Sequence, residues 1–474
     1  MESIVPIGSL ADKIIEKCRE KPGIDDAIVI IEDTSEAEIR YANNRITTNG
    51  IRQDRELTLA VVTSKQGLQL LGLQTVSFGT DTNEIDALIE RTYASAGPSG
   101  EDKENLVEGP IDRSVRNIDP YESSEEADVN IFKEQLSQLH DVFTASEKSK
   151  TTLSGFSTYA VTTTHLATTK DIRFHGVDKM GIFQLVKRAT TAAGNISSAW
   201  VGEVGKDFSG ISPHGADELL SARLSWSKRK IDLPPGRYEV IMPPSAVADL
   251  MLELYMAADG TETQDGATVF SSSHNTFPSG QPFCNAGASL YSDPYDLDMN
   301  CHNVFVTASS GSDSSVFDNG QQLDKTYWLR EGVVENLRYS RAGAKKHGTS
   351  PAFHVGNLLL EFAGKDLSLE KMIARTKRGL LLTCLWYIRE VDRSKLLLTG
   401  LTRDGVYLIE NGEIAGEVNN FRFNDSPLTL LNNVLDSSSP TPAYPRESGE
   451  WMALCKMPTV RVAEFNFDSI SQAT

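Results

Sequence analysis

The residues best suited to chemistry lie in an apolar helical stretch, PPSAVADLMLELYMAADG at 243–260. Glu253 stands between Leu252 and Leu254 in this stretch. A carboxylate among hydrocarbon side chains is a candidate for acid–base catalysis or for activating a metal-bound water. The alternative is that Glu253 lies on the solvated edge of a helix that packs against a core. The residues themselves leave both interpretations open.

Metal ligands and activated nucleophiles do not form a recognisable pattern elsewhere. The eight histidines never fall three to five residues apart, so no helix presents two imidazoles to a metal ion. The five scattered cysteines include no C-x-x-C pair and predict reduced thiols. Cys455, beside Lys456 near the chain end, is either a thiolate that could bind metal or, the interpretation we favour, a half-buried strand thiol.

The composition predicts a cytoplasmic globular protein. The chain has 474 residues, which is more than one hydrophobic core usually organises. Its first residues lack the apolar core of a signal peptide, and the longest apolar run, GLLLTCLWYI, is too short to span a membrane. The 46 basic and 65 acidic residues give a formal charge of −19. This balance argues against nucleic acid as a direct partner, because neutralising phosphates needs a basic surface.

The pattern of apolar residues predicts an α+β fold in two parts. Residues 1–232 should form an N-terminal α/β region with antiparallel sheet, in two lobes joined by an acidic connector near 97–128. The prolines of IDLPPGRYEVIMPPS place a boundary near residue 233. Residues 233–474 should form a mainly antiparallel β domain that carries the opening helix at 245–258.

Two local signals in the second part are specific. In GVYLIENGEIAGEV, Asn411 and Gly412 lie between alternating strands, as a type I′ hairpin requires. In SPLTLLNNVL, Ser426 and Pro427 are the residue types expected at the N-cap and first position of a helix.

Several stretches together resemble the TldD/TldE (PmbA) family of metallopeptidase-like proteins. They are distributed along nearly the whole chain: IRYANNRI, PPGRYEVIMPPSAVADLMLEL, SLYSDPYD, VFDNGQQLDKTYWLREGVVENL, GVYLIENGEI and FNDSPLTLLNNV. The resemblance implies a helix with a His-Glu-x-x-x-His motif in the catalytic TldD branch, where the imidazoles hold zinc and the glutamate can activate water. A cysteine near the C-terminus adds a further ligand there.

This sequence departs from that catalytic pattern. Laid on the chain, the motif puts Leu252 and Ala257 at the two histidine positions, and only Glu253 is retained. Cys455 is followed almost directly by PTVRV, where the catalytic branch has a Gly-rich stretch. These departures resemble TldE, the non-catalytic member of the pair. We therefore expect no catalytic residue, cofactor or metal in this chain, and zinc in a partner subunit.

The resemblance implies a TldE-like subunit of a zinc metalloprotease complex. Its partner would be a TldD-like subunit in a hetero-oligomer, and its substrates would be unfolded or ribosomally made peptides, for example natural-product precursors. Two alternatives stay open: a stand-alone hydrolase with a Cys or Ser nucleophile, and a gyrase-associated assembly protein without proteolysis. We expect this chain alone to be inactive.

Overall fold

The computed structural model describes residues 7–77, 84–98, 105–108, 124–190, 196–271, 282–284, 287–296, 298–299, 304–309, 314–364 and 366–472. Most of the predicted acidic connector lies outside these residues, and so does Cys301. The described chain mixes helices with largely antiparallel sheets, which confirms the predicted α+β class.

The helices, in chain order, are α1 (Ile7–Glu20), α2 (Glu84–Ala94), α3 (Lys133–Ser149), α4 (Pro213–Trp226), α5 (Pro244–Met256), α6 (Gly260–Gln264), α7 (Arg341–His347), α8 (Leu369–Arg375) and α9 (Pro427–Asn432). Within the described ranges, none of them combines the length and the apolar character that crossing a membrane requires.

The strands, in chain order, are β1 (Asp26–Ala42), β2 (Arg45–Lys65), β3 (Leu68–Ser77), β4 (Gly97–Pro98), β5 (Thr151–Thr168), β6 (Arg173–Thr190), β7 (Ile196–Gly205), β8 (Lys230–Ile231), β9 (Gly236–Met242), β10 (Ala288–Ser292), β11 (Thr326–Arg330), β12 (Val333–Val334), β13 (Asn357–Phe362), β14 (Arg378–Leu382), β15 (Leu385–Asp392), β16 (Leu397–Thr402), β17 (Val406–Glu410), β18 (Glu413–Val418), β19 (Phe421–Asp425), β20 (Val434–Ser437), β21 (Thr441–Ala443), β22 (Leu454–Met457) and β23 (Val460–Ile470).

The N-terminal region is built on one antiparallel sheet with the order β4-β3-β2-β1-β5-β6-β7. β1 and β5 come from the two lobes that the sequence predicts, and they pair from Ile28↔Thr168 to Tyr41↔Gly155. The turn residue Asn44 strengthens this junction, because its side chain accepts the Leu153 N–H at 2.7 Å. The pairing of the two lobes in a single sheet is not visible in the sequence.

The two faces of this sheet pack against different parts of the chain. Helices α1 to α4 cover one face, where Ile14 of α1 and Leu139 of α3 are fully buried. The other face contacts the C-terminal half, and Trp200 of β7 packs there with Tyr444. The long strands therefore serve as the layer between helices and C-terminal domain.

The C-terminal half contains a six-stranded sheet, β12-β11-β10-β13-β22-β21, and a ten-stranded sheet. The main path of the larger sheet runs β15-β16-β19-β23-β9-β14-β17-β18-β8, with β20 paired to β23. Helix α5 packs on β9 of the larger sheet and on β21 and β22 of the smaller one. Their side chains share one apolar core with α5, the largest core of the described residues.

The two local predictions in this half are confirmed. Asn411 and Gly412 both have positive φ angles, 53° and 85°, between the paired strands β17 and β18, as a type I′ turn requires. Ser426 accepts the Leu428 N–H at 3.3 Å, and Pro427 is the first residue of α9. Both signals depend only on residues close in sequence.

A buried histidine pair lies within the N-terminal sheet. His165 and His175 are cross-strand neighbours on β5 and β6, with ring centroids 6.1 Å apart. His165 has no exposed surface, and neither of its ring nitrogens has a hydrogen-bond partner among the described residues. Burial lowers the pKa of His165 from 6.5 to about 4; His175 and Arg173 act in the same direction, and Asp12 opposes them.

We predict that the contribution of His165 to the free energy of unfolding falls as the pH is lowered from about 6.5 to about 4. In that window the unfolded chain binds a proton that folded His165 excludes, and the loss reaches at most about 3 kcal/mol. In His165→Phe this contribution should be absent, so the variant should lose less stability, or gain more, than the unmodified chain as the pH is lowered through this range. Urea denaturation at a series of pH values measures it, and an unchanged slope in the variant would contradict the assignment to His165.

Candidate functional site

Helix α5, the predicted opening helix, begins and ends for local reasons. Pro244 occupies the first helical position. A backbone N–H at this position would have no partner inside the helix, so its absence costs no hydrogen bond. It ends at Met256, whose carbonyl oxygen accepts a hydrogen bond from Arg338 Nη2 at 2.8 Å. The helix spans Pro244–Met256, whereas the sequence predicts a helix over residues 245–258.

The residues at the family's metal positions do not fit zinc. Leu252 is fully buried and Ala257 is 3% exposed, and both pack in the core shared by the two C-terminal sheets. Hydrocarbon side chains offer no lone pair to a cation. The nearby thiol gives no substitute, because burial and the carboxyl of Asp249 raise the pKa of Cys455, and metals bind the thiolate. Among the described residues, no three His, Cys, Asp or Glu side chains are grouped to hold a metal.

Cys455 lies in β22, beside α5, with no exposed surface. It is more buried than the half-buried thiol that the sequence indicates. Burial also raises the pKa values of Cys18 and Cys384 to about 12, so these thiols stay protonated near neutral pH. These two thiols and Cys455 are therefore unsuited to nucleophilic catalysis.

A second carboxyl on α5, Asp249, ties the helix to the loop that follows β21. Its Oδ1 accepts the backbone N–H groups of Glu447 and Ser448 at 3.0 and 3.3 Å. Asp249 is fully buried, and its Oδ2 has no hydrogen-bond partner within the described chain. Burial raises the pKa of Asp249 to about 8, although the hydrogen bonds from these backbone N–H groups act to lower it. Asp249 is therefore a protonated, structural carboxyl at neutral pH.

Glu253 lies one helical turn after Asp249 and is partly exposed, because it opens into a cavity of about 240 Å³. Burial, with the nearby carboxylates of Glu390 and Glu447, raises the pKa of Glu253 to about 7, while Arg389 acts to lower it. The side chain thus changes charge near neutral pH. The cavity is lined by Glu253, Met256, Ala257, Asp259, Glu262, Arg338, Glu390, Arg393 and Trp451.

Ion pairs position the other charged groups around Glu253. Arg393 forms an ion pair with Glu262 of α6 and lies 3.9 Å from Glu390 of β15. Glu447 accepts hydrogen bonds from the Tyr387 N–H at 3.1 Å and from Arg389 at 3.0 Å, which joins its loop to β15. Glu253 itself makes no ion pair with any described residue.

The sequence indicates Glu253 as a candidate but gives no indication of the residues around it. Asp249 could have been noticed, since it precedes Glu253 by four positions on the same helix. Glu390, Glu447 and Trp451 come from distant segments and carry no local signal. His354 was missed too: it contacts α5 through a 2.9 Å hydrogen bond between its Nδ1 and the hydroxyl of Tyr255.

Comparisons with known proteins agree with this architecture. A family model described as the PmbA/TldA metallopeptidase C-terminal domain matches residues 235–469. No curated protein matches the chain. The fold and the position of α5 define a metallopeptidase-like α+β protein.

The C-terminal part of the chain, residues 235–469, belongs to the TldD/TldE (PmbA) family. The structure of the chain is similar to that of TldE from Thermococcus kodakarensis, with a TM-score of 0.78 and 15% identity over 97% of this chain and 100% of that one. It is also similar to a protein from Thermotoga maritima proposed to modulate a DNA gyrase, with a TM-score of 0.75 and 16% identity over 98% and 100% of the two chains. A protein from Bacteroides thetaiotaomicron with a similar description gives a TM-score of 0.72 and 14% identity over 98% of both chains. At these identities the likeness concerns the fold.

The raised pKa of Asp249 leads to a prediction for how the stability of the protein depends on pH. Folded Asp249 holds its proton up to about pH 8, whereas in the unfolded chain its pKa is near 3.8. The contribution of Asp249 to the free energy of unfolding should therefore fall as the pH rises between these two values, because the folded state binds the extra proton. In Asp249→Asn this loss should shrink by roughly 2 kcal/mol or more.

Denaturant titrations between pH 5 and pH 9 measure this difference. Asn keeps an oxygen that can accept the two backbone hydrogen bonds, so the fold should survive. Asp468→Asn, at an exposed position of β23, is the matched control and should follow the unmodified chain. Parallel curves for all three proteins would show that Asp249 ionises normally.

Proposed function

We propose that this chain is a TldE-like, non-catalytic subunit of a zinc metalloprotease complex that cleaves unfolded or ribosomally made peptides. The observation that carries the proposal is the pair of hydrocarbon side chains, Leu252 and Ala257, buried at the two positions where the catalytic branch has imidazoles. Without those ligands this chain has no zinc-bound water for Glu253 to activate.

The proposed roles of the two subunits follow from the absence of these imidazole ligands in this chain. A TldD-like partner supplies zinc and the chemistry, and this chain supplies peptide positioning and stability of the complex. Sheet edges suit such a role, because an extended peptide can pair with them through its backbone. Glu253, which is partly exposed beside a cavity, then acts through its charge and not through proton transfer.

A gyrase-associated assembly factor is the second candidate, because two structurally similar proteins are described as proposed modulators of DNA gyrase. A formal charge of −19 argues against direct DNA contact in such a role. Copurification from the native host, followed by mass spectrometry, separates the candidates. A TldD-like chain supports the first, and gyrase supports the second.

Purified alone, the chain should contain no stoichiometric zinc and should not cleave unfolded peptides. Elemental analysis after dialysis against metal-free buffer gives the zinc content, and casein or an unstructured peptide reports cleavage. About one tightly held zinc ion per chain would refute the proposal, because structural and catalytic sites bind zinc far more tightly than surface side chains do.

Proteolysis should appear only when this chain is mixed with a TldD-like partner. In that complex, Glu253→Gln should change kcat at saturating peptide by less than about threefold, since a lost general base costs about a hundredfold or more. The same Glu→Gln change in the partner's His-Glu-x-x-x-His helix should abolish cleavage while the complex still assembles. A hundredfold fall in kcat from Glu253→Gln, with assembly intact, would make this chain the enzyme.

A further inference from the structure

The strand β15 forms one end of the ten-stranded sheet, and no described strand pairs with its outer edge. The pairing of β15 with β16 is interrupted between Trp386 and Arg389 and again between Glu390 and Asp392. Between these irregularities, at Arg389 and Glu390, the outer edge presents backbone N–H and C=O groups that an extended peptide can use. Glu447 occupies part of the edge by accepting the Tyr387 N–H. Beyond that point, the side chains of Arg389, Glu390 and Val391 are exposed.

Exposed apolar side chains adjoin this edge. Met256 and Trp451 are 43% and 40% exposed and line the cavity at Glu253 together with Glu390. Val391, the residue after Glu390, is 58% exposed. Single exposed apolar residues are ordinary on protein surfaces, but Met256 and Trp451 line one cavity beside a free strand edge, which is typical of an interaction site.

The charges of the cavity decide what it can hold. Its lining contains four carboxylates and two arginines. One arginine, Arg393, is paired with Glu262, and the other, Arg338, donates to the Met256 carbonyl. The excess of carboxylates favours a cation, and the indole of Trp451 offers an aromatic surface for a cation or for its aliphatic stem.

We propose that the edge of β15 and the adjoining cavity hold an extended peptide whose lysine or arginine side chain enters the cavity beside Glu253. The inference rests on the proposed function of this chain as a peptide-positioning subunit, and it specifies the substrate class as basic peptides. The backbone of the peptide pairs with β15, Val391 and Met256 contact its apolar side chains, and Glu253 receives the positive charge.

The ionisation of Glu253 gives this binding a pH dependence. The groups that face Glu253 are Glu390 and Arg389 on β15, Glu447 on its loop, Asp259 and Glu262 at α6, and the guanidinium groups of Arg338 and Arg393. With a pKa of about 7, Glu253 is mostly neutral at pH 6 and mostly charged at pH 8. A peptide cation should therefore bind more tightly at pH 8 and promote loss of the Glu253 proton.

Binding of a peptide to the full chain, without any partner, tests the proposal. The probes are two eight-residue peptides, acetylated and amidated at their ends, that differ only in a central Lys or Gln. Calorimetry at pH 8 should give the Lys peptide roughly tenfold higher affinity than the Gln peptide, the size expected for one partly buried charge contact with an aromatic neighbour. At pH 6 the preference should shrink to about threefold or less.

The variant Glu253→Gln should remove the pH dependence and most of the preference for Lys, while Glu413→Gln, an equal charge change at the exposed β17–β18 turn, should keep both. Circular dichroism verifies the fold of each variant. Equal affinity for the two peptides at pH 8, or an unchanged preference in Glu253→Gln, overturns the proposal. Because the partner is absent from these measurements, such a failure leaves the metalloprotease-subunit proposal to its own mixing experiment.

Discussion

The burial of helix α5 between the two C-terminal sheets is the constraint on which the rest of the site depends. Because β9 packs on one part of the helix and β21 and β22 on another, most of its surface must be apolar. A polar side chain on such a helix has to find a partner or reach an opening. The two acidic residues of α5, Asp249 and Glu253, meet this requirement in different ways.

Asp249 accepts hydrogen bonds from backbone N–H groups, whereas Glu253 lies at a cavity, and the two arrangements are linked. By accepting the N–H groups of Glu447 and Ser448, Asp249 holds the loop that carries Glu447 against α5. Glu447 in turn binds β15 through Tyr387 and contributes to the raised pKa of Glu253. A buried carboxyl with a structural role thus contributes, through the position of Glu447, to the electrostatics of a partly exposed carboxyl one turn away.

The same loop connects the site to the N-terminal region. Arg446 forms a buried ion pair with Asp404, and its guanidinium lies 4.9 Å from the ring centres of both Trp200 and Trp386. Asp404 also accepts a hydrogen bond from Ser198 of β7. The contact with the N-terminal sheet and the candidate site therefore share one short segment of chain, residues 446–448.

The sequence by itself determined the features that depend on neighbouring residues: the α+β class, the Asn411-Gly412 turn, the Ser426-Pro427 helix start and the absence of imidazoles at positions 252 and 257. Each follows from the types of residues a few positions apart, which fix local backbone conformation or local chemistry. Only the tertiary structure decided that β1 and β5 pair in one sheet, that Asp249 is buried and protonated, and that Glu253 shares a cavity with Glu390 and Trp451. Those features join segments separated by more than a hundred residues, and burial and charge arise from that packing.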